Sequence, residues 1–116
     1  MATVANALVA LVAALHLYFL VLEMFFWTKP LGRKVFKLSP EFAETRKALA
    51  ANQGLYNGFL VAGLVWGLAI ADTPIKLFFL GCAVVAGVFG AATVSKKILF
   101  VQALPAALAM GVLLFA

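Results

Sequence analysis

Four long apolar runs, separated by short polar links, make up most of this chain of 116 residues. The runs cover residues 2–27, 48–71, 75–94 and 98–116. At about 1.5 Å of rise per residue, each is long enough for a helix that crosses a bilayer core of about 30 Å. The pattern therefore predicts an all-α membrane protein with a single domain, in which four transmembrane helices form an up-down-up-down bundle.

The first link, residues 28–47, is strongly basic and contains the start of the second helix. Ser39-Pro40-Glu41 provides an N-cap, a proline at the first helical position and an acid in the first turn, and the helix can continue into the second apolar run. Upstream of it, apolar residues alternate with lysines, which predicts a short amphipathic segment lying on anionic lipid headgroups. We expect the headgroup contacts to come from Arg33, Lys34 and Lys37.

The basic residues are distributed unevenly over the links. Of nine Lys and Arg, six lie in the first link and two in the third, at Lys96 and Lys97, while only Lys76 lies near the second. Because cytoplasmic loops are enriched in Lys and Arg, the first and third links are predicted to be cytoplasmic. This places the chain in a bacterial inner membrane as a multi-pass protein with both termini outside. In the second link, Asp72 or Thr73 is expected to cap the third helix.

Composition narrows the function classes. The chain is 66% hydrophobic and 11% charged, with a mean hydropathy of +1.14, which excludes an ordinary soluble domain. The net charge of +5 comes from residues at the ends of apolar runs, so we expect no nucleic-acid partner. The single Cys82 excludes an internal disulfide and a cysteine zinc cage, and the sequence predicts no metal and no cofactor.

The second apolar run contains the densest group of polar side chains. On a helix, three of them share one face at i, i+3, i+4 spacing with a fourth on its flank, and two glycines lie four apart on another face. The polar residues are Gln53, Tyr56 and Asn57, flanked by Asn52, and the glycines are Gly54 and Gly58. The pattern predicts a helix that packs closely inside a bundle.

Polar residues of the four helices fall at related depths. Counting about 1.5 Å per residue from the cytoplasmic charges places four of them within about 4–9 Å of that side, namely Glu23, Gln53, Thr93 and Gln102. Asn57 lies at about 15 Å and His16 at about 20 Å by the same count. Together with Asn52 and Tyr56, these side chains predict a polar pocket that opens toward the cytoplasm.

Glu23 is the charged member of this set. A carboxylate in lipid costs roughly 2.5–3.5 kcal/mol on insertion scales, so Glu23 must face the interior, be protonated or pair with a cation. One interpretation is a ligand or proton site, and the other is a structural acid satisfied by amides of neighbouring helices, namely Asn52, Gln53 and Gln102. For His16, the alternatives are a neutral imidazole bonded to another helix, a proton relay, or a metal or haem ligand.

Several strings of the sequence resemble a known family. They are L-H-L-Y-F-L-V-L-E-M-F-F-W-T, G-R-K-V-F, A-N-Q-G-L-Y-N-G-F, G-A-A-T-V-S and V-Q-A-L-P-A, at residues 15–28, 32–36, 51–59, 90–95 and 101–106. The family consists of small bacterial integral membrane proteins and is catalogued as domain of unknown function 1304. The resemblance covers essentially the whole chain, implies the membrane architecture and implies no reaction.

Three functional hypotheses follow from these observations. The first is a pocket that binds or transports a small polar or cationic ligand, or a proton, with Glu23 as the anchor. The second is a non-catalytic interaction module that binds lipids or partners through the basic link. The third, an intramembrane enzyme with Glu23 and His16 as acid and base, lacks a nucleophile and a recognisable motif, so we expect no enzyme. Small residues on the helices also permit a homodimer.

Overall fold

The computed structural model describes residues 2–116, and these residues are 87% helical with no strand. The helices are α1 (Ala2–Phe25), α2 (Pro30–Phe36), α3 (Pro40–Ala69), α4 (Thr73–Thr93) and α5 (Leu104–Leu114), and the π-helical segment Leu99–Ala103 leads directly into α5. The prediction of an all-α chain is confirmed. The short segment expected in the first link is a helix of two turns that begins at Pro30.

Two helix starts are as the sequence predicts. The hydroxyl Oγ of Ser39 accepts a hydrogen bond from the backbone N–H of Phe42 at 3.1 Å, so α3 begins at Pro40 and continues into the second apolar run. The carboxylate Oδ1 of Asp72 accepts from the N–H of Ile75 at 2.9 Å and caps α4. Each cap satisfies a backbone donor that has no partner inside the helix.

The fourth apolar run begins with a wider helical turn. Residues Leu99–Ala103 are π-helical, and the N–H of Leu104 bonds to the carbonyl of Leu99, five residues earlier. Pro105 follows directly; it has no N–H, and its ring would clash with the carbonyl four residues before it in a regular α-helix. The wider turn gives that carbonyl room, which explains why the π segment lies immediately before the proline.

The chain divides into two compact units. A central unit comprises His16–Phe59, and a terminal unit comprises the described residues up to Leu15 together with Leu60–Ala116. The core of the terminal unit contains side chains from α1, α3, α4 and α5 that are at most 7% exposed. They are Val9, Val12, Ala13, Leu64, Leu80, Ala83, Ala106 and Ala109.

Small residues allow close helix contacts in the terminal unit. A Cβ added to Gly87 on α4 would lie 2.5 Å from the backbone nitrogen of Ala103, so only glycine permits this approach. At Gly67 an added Cβ would meet the side chain of Lys76 at 2.8 Å. That lysine is 4% exposed, and its Nζ donates to Oδ1 of Asn6 at 2.8 Å. Gly67 and Gly87 therefore lie at close contacts within the terminal unit.

Two helices are long and apolar enough to cross a membrane, namely α1 and α4, while Leu99–Leu114 is apolar but shorter. Within residues 2–116, α3 is not among them, because Asn52, Gln53 and Asn57 lower its hydropathy. Only 28% and 22% of the most apolar stretches of α1 and α4 are buried. A core helix of a soluble protein would bury most of its residues, whereas apolar side chains facing outward are typical of a surface that lipid or a partner covers.

Candidate functional site

The central unit pairs a carboxylate with a buried amide. Glu23 is half-buried, two residues before the end of α1 at Phe25. Asn57 on α3 is 4% exposed, and its Nδ2 donates a hydrogen bond to Oε1 of Glu23 at 2.5 Å. The bond connects two helices that are 34 residues apart in sequence, and it fixes the orientation of the carboxylate.

Two glycines of α3 allow α1 to come this close. A Cβ at Gly54 would lie 2.5 Å from Cγ of Met24 and 3.3 Å from the carbonyl oxygen of Leu20. A Cβ at Gly58 would lie 3.1 Å from Cδ1 of Leu20. The close packing predicted for Gly54 and Gly58 is therefore confirmed within the central unit.

An open cleft of about 300 Å³ lies beside Glu23 in the central unit. We call it the Glu23 cleft. Its lining comes from the end of α1, the residues after it and the first half of α3, namely Glu23, Met24, Phe25, Trp27, Thr28, Lys47, Ala48 and Ala51. The second carboxylate oxygen, Oε2 of Glu23, accepts no hydrogen bond from residues 2–116. It is therefore available to a molecule in the cleft.

The lysine of the cleft does not neutralise Glu23. The Nζ of Lys47 lies 2.6 Å from Oε1 of Glu44, and both of these side chains are 61% exposed. Within residues 2–116 no cation forms an ion pair with Glu23. The residues that line the cleft thus include one carboxylate, the hydroxyl residue Thr28 and two aromatic residues, Phe25 and Trp27, and these residue types together suit a small cation or hydrogen-bond donor.

The four polar residues expected on one side of α3 do not share one environment in the structure. Asn57 points inward, whereas Asn52, Gln53 and Tyr56 are exposed, and Tyr56 packs edge-on against Phe59 at 5.7 Å. The partner of Glu23 is therefore Asn57 and not the amide of Gln53 or Asn52.

The remaining predicted residues are not among those that line the Glu23 cleft. His16 is fully buried in the central unit, with its ring edge-on to that of Phe19 at 6.2 Å. Thr93 and Gln102 belong to the terminal unit. The hydroxyl of Thr93 donates to the carbonyl of Phe89 at 2.7 Å, and Gln102 lies half-buried in the π segment. The grouping of all eight residues in one pocket stays a prediction.

Trp27 is a site residue whose role the sequence reasoning missed. It lines the Glu23 cleft, and its indole Nε1 donates to the carbonyl of Ala43 at 2.9 Å. Its position only four residues after Glu23 was the available signal, although α1 ends at Phe25 and Trp27 lies in the turn that follows. In residues 2–116 no three His, Cys, Asp or Glu side chains are grouped closely enough to hold a metal ion.

Comparison with known proteins identifies a family and a relative for which no function is described. A family described as "Protein of unknown function (DUF1304)" matches residues 10–114. The chain is also 26% identical over 105 residues to the uncharacterized protein YpaA of Lactococcus lactis subsp. lactis (strain IL1403), covering 86% of this chain and 88% of that protein. No solved structure matches the chain.

Proposed function

Because the chain belongs to the DUF1304 family, whose description names no activity, we propose a function from the geometry of the chain itself. The protein is a small multi-pass protein of the bacterial cytoplasmic membrane, and its Glu23 cleft binds a small cationic or polar ligand, or a proton. The two cytoplasmic links carry eight of the nine basic residues, so the cleft opens toward the cytoplasm and both termini lie outside.

Several observations support the membrane part of this proposal. α1 and α4 have the length and apolarity of membrane spans, and only 28% and 22% of their most apolar stretches are buried. The terminal unit brings four helices to one core, as a four-helix bundle requires. The polar residues that lower the hydropathy of α3 include Asn57, which faces inward in contact with Glu23 and away from any lipid.

The observation that carries the binding proposal is the state of the Glu23 carboxylate. One of its oxygens accepts from Asn57, the other has no partner in residues 2–116, and Glu23 lines the cleft. A half-buried carboxylate without a cation is costly, and a bound ammonium or other donor would remove that cost through a charge-assisted hydrogen bond. A volume of about 300 Å³ is at the small end of ligand sites and suits a ligand of few heavy atoms.

Native mass spectrometry of the protein released from its own membranes in mild detergent tests this proposal. We expect a reproducible extra mass on the wild-type chain that is absent from Glu23→Gln, because glutamine keeps the shape and removes the charge. Glu41→Gln is the matched control, since it removes an exposed carboxylate from the start of α3. It should keep the extra mass.

Proton movement leaves no mass and needs a second measurement. The purified chain in proteoliposomes with an interior pH dye should show proton flux that Glu23→Gln abolishes and Glu41→Gln retains. If Glu23→Gln equals the wild type in both bound mass and flux, Glu23 is not the anchor, and the carboxylate has a structural role only.

A further inference from the structure

A second feature of the central unit is the surface of α2 and its flanks. We propose that this surface is a preorganised platform that binds the anionic headgroups of the bilayer, separately from any ligand of the Glu23 cleft. We call it the basic platform. It consists of four cations and two apolar residues, namely Lys29, Arg33, Lys34 and Lys37, with Leu31 and Val35.

The four cations of the platform have no anionic partner within residues 2–116. The ion pair of this part of the chain joins Lys47 to Glu44 and includes none of them. Lys34 and Lys37 are exposed. The Nε of Arg33 is buried and has no hydrogen-bond partner, and its terminal nitrogens donate to no described residue. Lipid phosphates would supply the anionic partners that these four cations lack.

The apolar residues of the platform are also uncovered. Leu31 is 49% and Val35 is 40% exposed, and their i, i+4 spacing places both on one face of α2. Phe25 at the end of α1 is 64% exposed. Exposed apolar side chains beside lysines, a few residues after an apolar helix of membrane-spanning length, are typical of a segment at the boundary between headgroups and acyl chains. This combination favours a bilayer over a soluble acidic partner, which would leave Leu31 and Val35 in water.

The platform is held in place before any lipid binds. Gly32 packs on the backbone of the preceding loop so closely that an added Cβ would overlap the carbonyl oxygen of Phe26. The ring of Phe36 packs against that of Trp27 at 5.1 Å. Lys37 ends α2 in the left-handed conformation, with φ of 55°, and its N–H bonds to the carbonyl of Arg33. Little conformational freedom remains to be lost on binding, which favours affinity.

Energy transfer from Trp27 to a dansyl-labelled lipid measures this binding in the full chain. Trp66→Phe leaves Trp27 as the single donor, since the chain has two tryptophans. In phosphatidylcholine nanodiscs with trace dansyl-phosphatidylglycerol or dansyl-phosphatidylcholine, we expect the anionic probe to associate more strongly. Each lysine near a membrane surface contributes about a fivefold factor, so Lys34→Gln/Lys37→Gln should lower this preference by about 25-fold.

Arg46→Gln/Lys96→Gln is the control with the same change in net charge. Both residues lie outside the platform, so this variant should keep most of the preference. Equal losses in the two double variants would show that only net charge matters and would overturn the proposal. So would a wild-type chain with no preference for the anionic probe. Displacement of the labelled lipid by inorganic phosphate at matched ionic strength would assign the site to free phosphate and not to the bilayer.

Gly32→Ala tests the preorganisation without changing charge. The new Cβ cannot fit against Phe26, so α2 must move and the preference for the anionic lipid should fall. Gly81→Ala is the matched control, because nothing lies within 4 Å of the position of its Cβ. Circular dichroism confirms that both variants stay helical. An unchanged lipid preference in a folded Gly32→Ala chain would show that the placement of α2 does not matter.

Discussion

The bond between Glu23 and Asn57 makes a quantitative prediction about stability. Asn57→Ala removes the donor and leaves Oε1 of a half-buried carboxylate without its partner. Hydrogen bonds to charged groups contribute roughly 1.5–3 kcal/mol, and the partial exposure of Glu23 places the expected loss near the lower end, at about 1–2 kcal/mol. Glu23→Gln keeps a carbonyl oxygen that accepts from Asn57, so its loss should be below about 1 kcal/mol.

A double-mutant cycle isolates this bond from other effects of the substitutions. The variants are Glu23→Ala, Asn57→Ala and the double variant, and we expect a coupling of about 1–2 kcal/mol between the two positions. The free energy of unfolding is measured by far-ultraviolet circular dichroism as a denaturing detergent is titrated into a mild one. Gln53→Ala is the control; its side chain is exposed on the same helix, and its effect should stay within about 0.5 kcal/mol.

A coupling below about 0.5 kcal/mol would refute the reasoning, because a bond that orients a carboxylate must also stabilise the state in which it forms. The stability data also decide how binding data are interpreted. Glu23→Gln should lose the ligand while keeping most of its stability. Asn57→Ala should lose stability while keeping a carboxylate in the cleft, so its ligand binding should weaken without disappearing.

Two further predictions concern the terminal unit. Gly87→Ala places a methyl group 2.5 Å from the backbone nitrogen of Ala103 and should lower the stability measured by thermal unfolding by about 1–3 kcal/mol. The control Gly81→Ala faces open space and should be neutral or stabilising by up to about 1 kcal/mol. Asn6→Ala removes the acceptor of the buried Lys76 ammonium and should lower the free energy of unfolding by about 1.5–3 kcal/mol. Adding Lys76→Met should restore this stability. A double variant that is less stable than Asn6→Ala would contradict the prediction.

The features that the sequence predicts correctly are those with local causes. Ser39 followed by Pro40 defines the start of α3, and Asp72 followed by Pro74 defines the start of α4, because a cap requires only residues within one turn. Gly54 and Gly58 indicate close packing because their spacing places them on one helix face.

The contact between Glu23 and Asn57 depends on residues far apart in the sequence. Counting depth along each helix from the nearest basic residue does not predict this contact, for a physical reason. The count treats residues 23–29 as helical, but α1 ends at Phe25, so Glu23 lies near the helix end and the distance to Lys29 does not follow helical rise. α3 is helical from Pro40, and the two helices meet where the glycines allow it. At that crossing Asn57 faces Glu23, while Gln53 faces outward. The contact of Lys76 with Asn6, 70 residues apart, is likewise absent from any local pattern.

Trp27 lines the Glu23 cleft and also packs against the helix that carries the basic platform, and this determines which substitutions can separate the two sites. Its indole lines the Glu23 cleft, and its ring packs on Phe36 of α2 beside the basic platform. Replacing Trp27 or Phe36 should therefore weaken ligand binding and lipid preference together, and such a result would not distinguish one site from the other. Glu23→Gln changes the cleft without touching the platform, and Lys34→Gln/Lys37→Gln does the reverse. If each affects only its own measurement, the cleft and the platform are separate functions of one small helical unit.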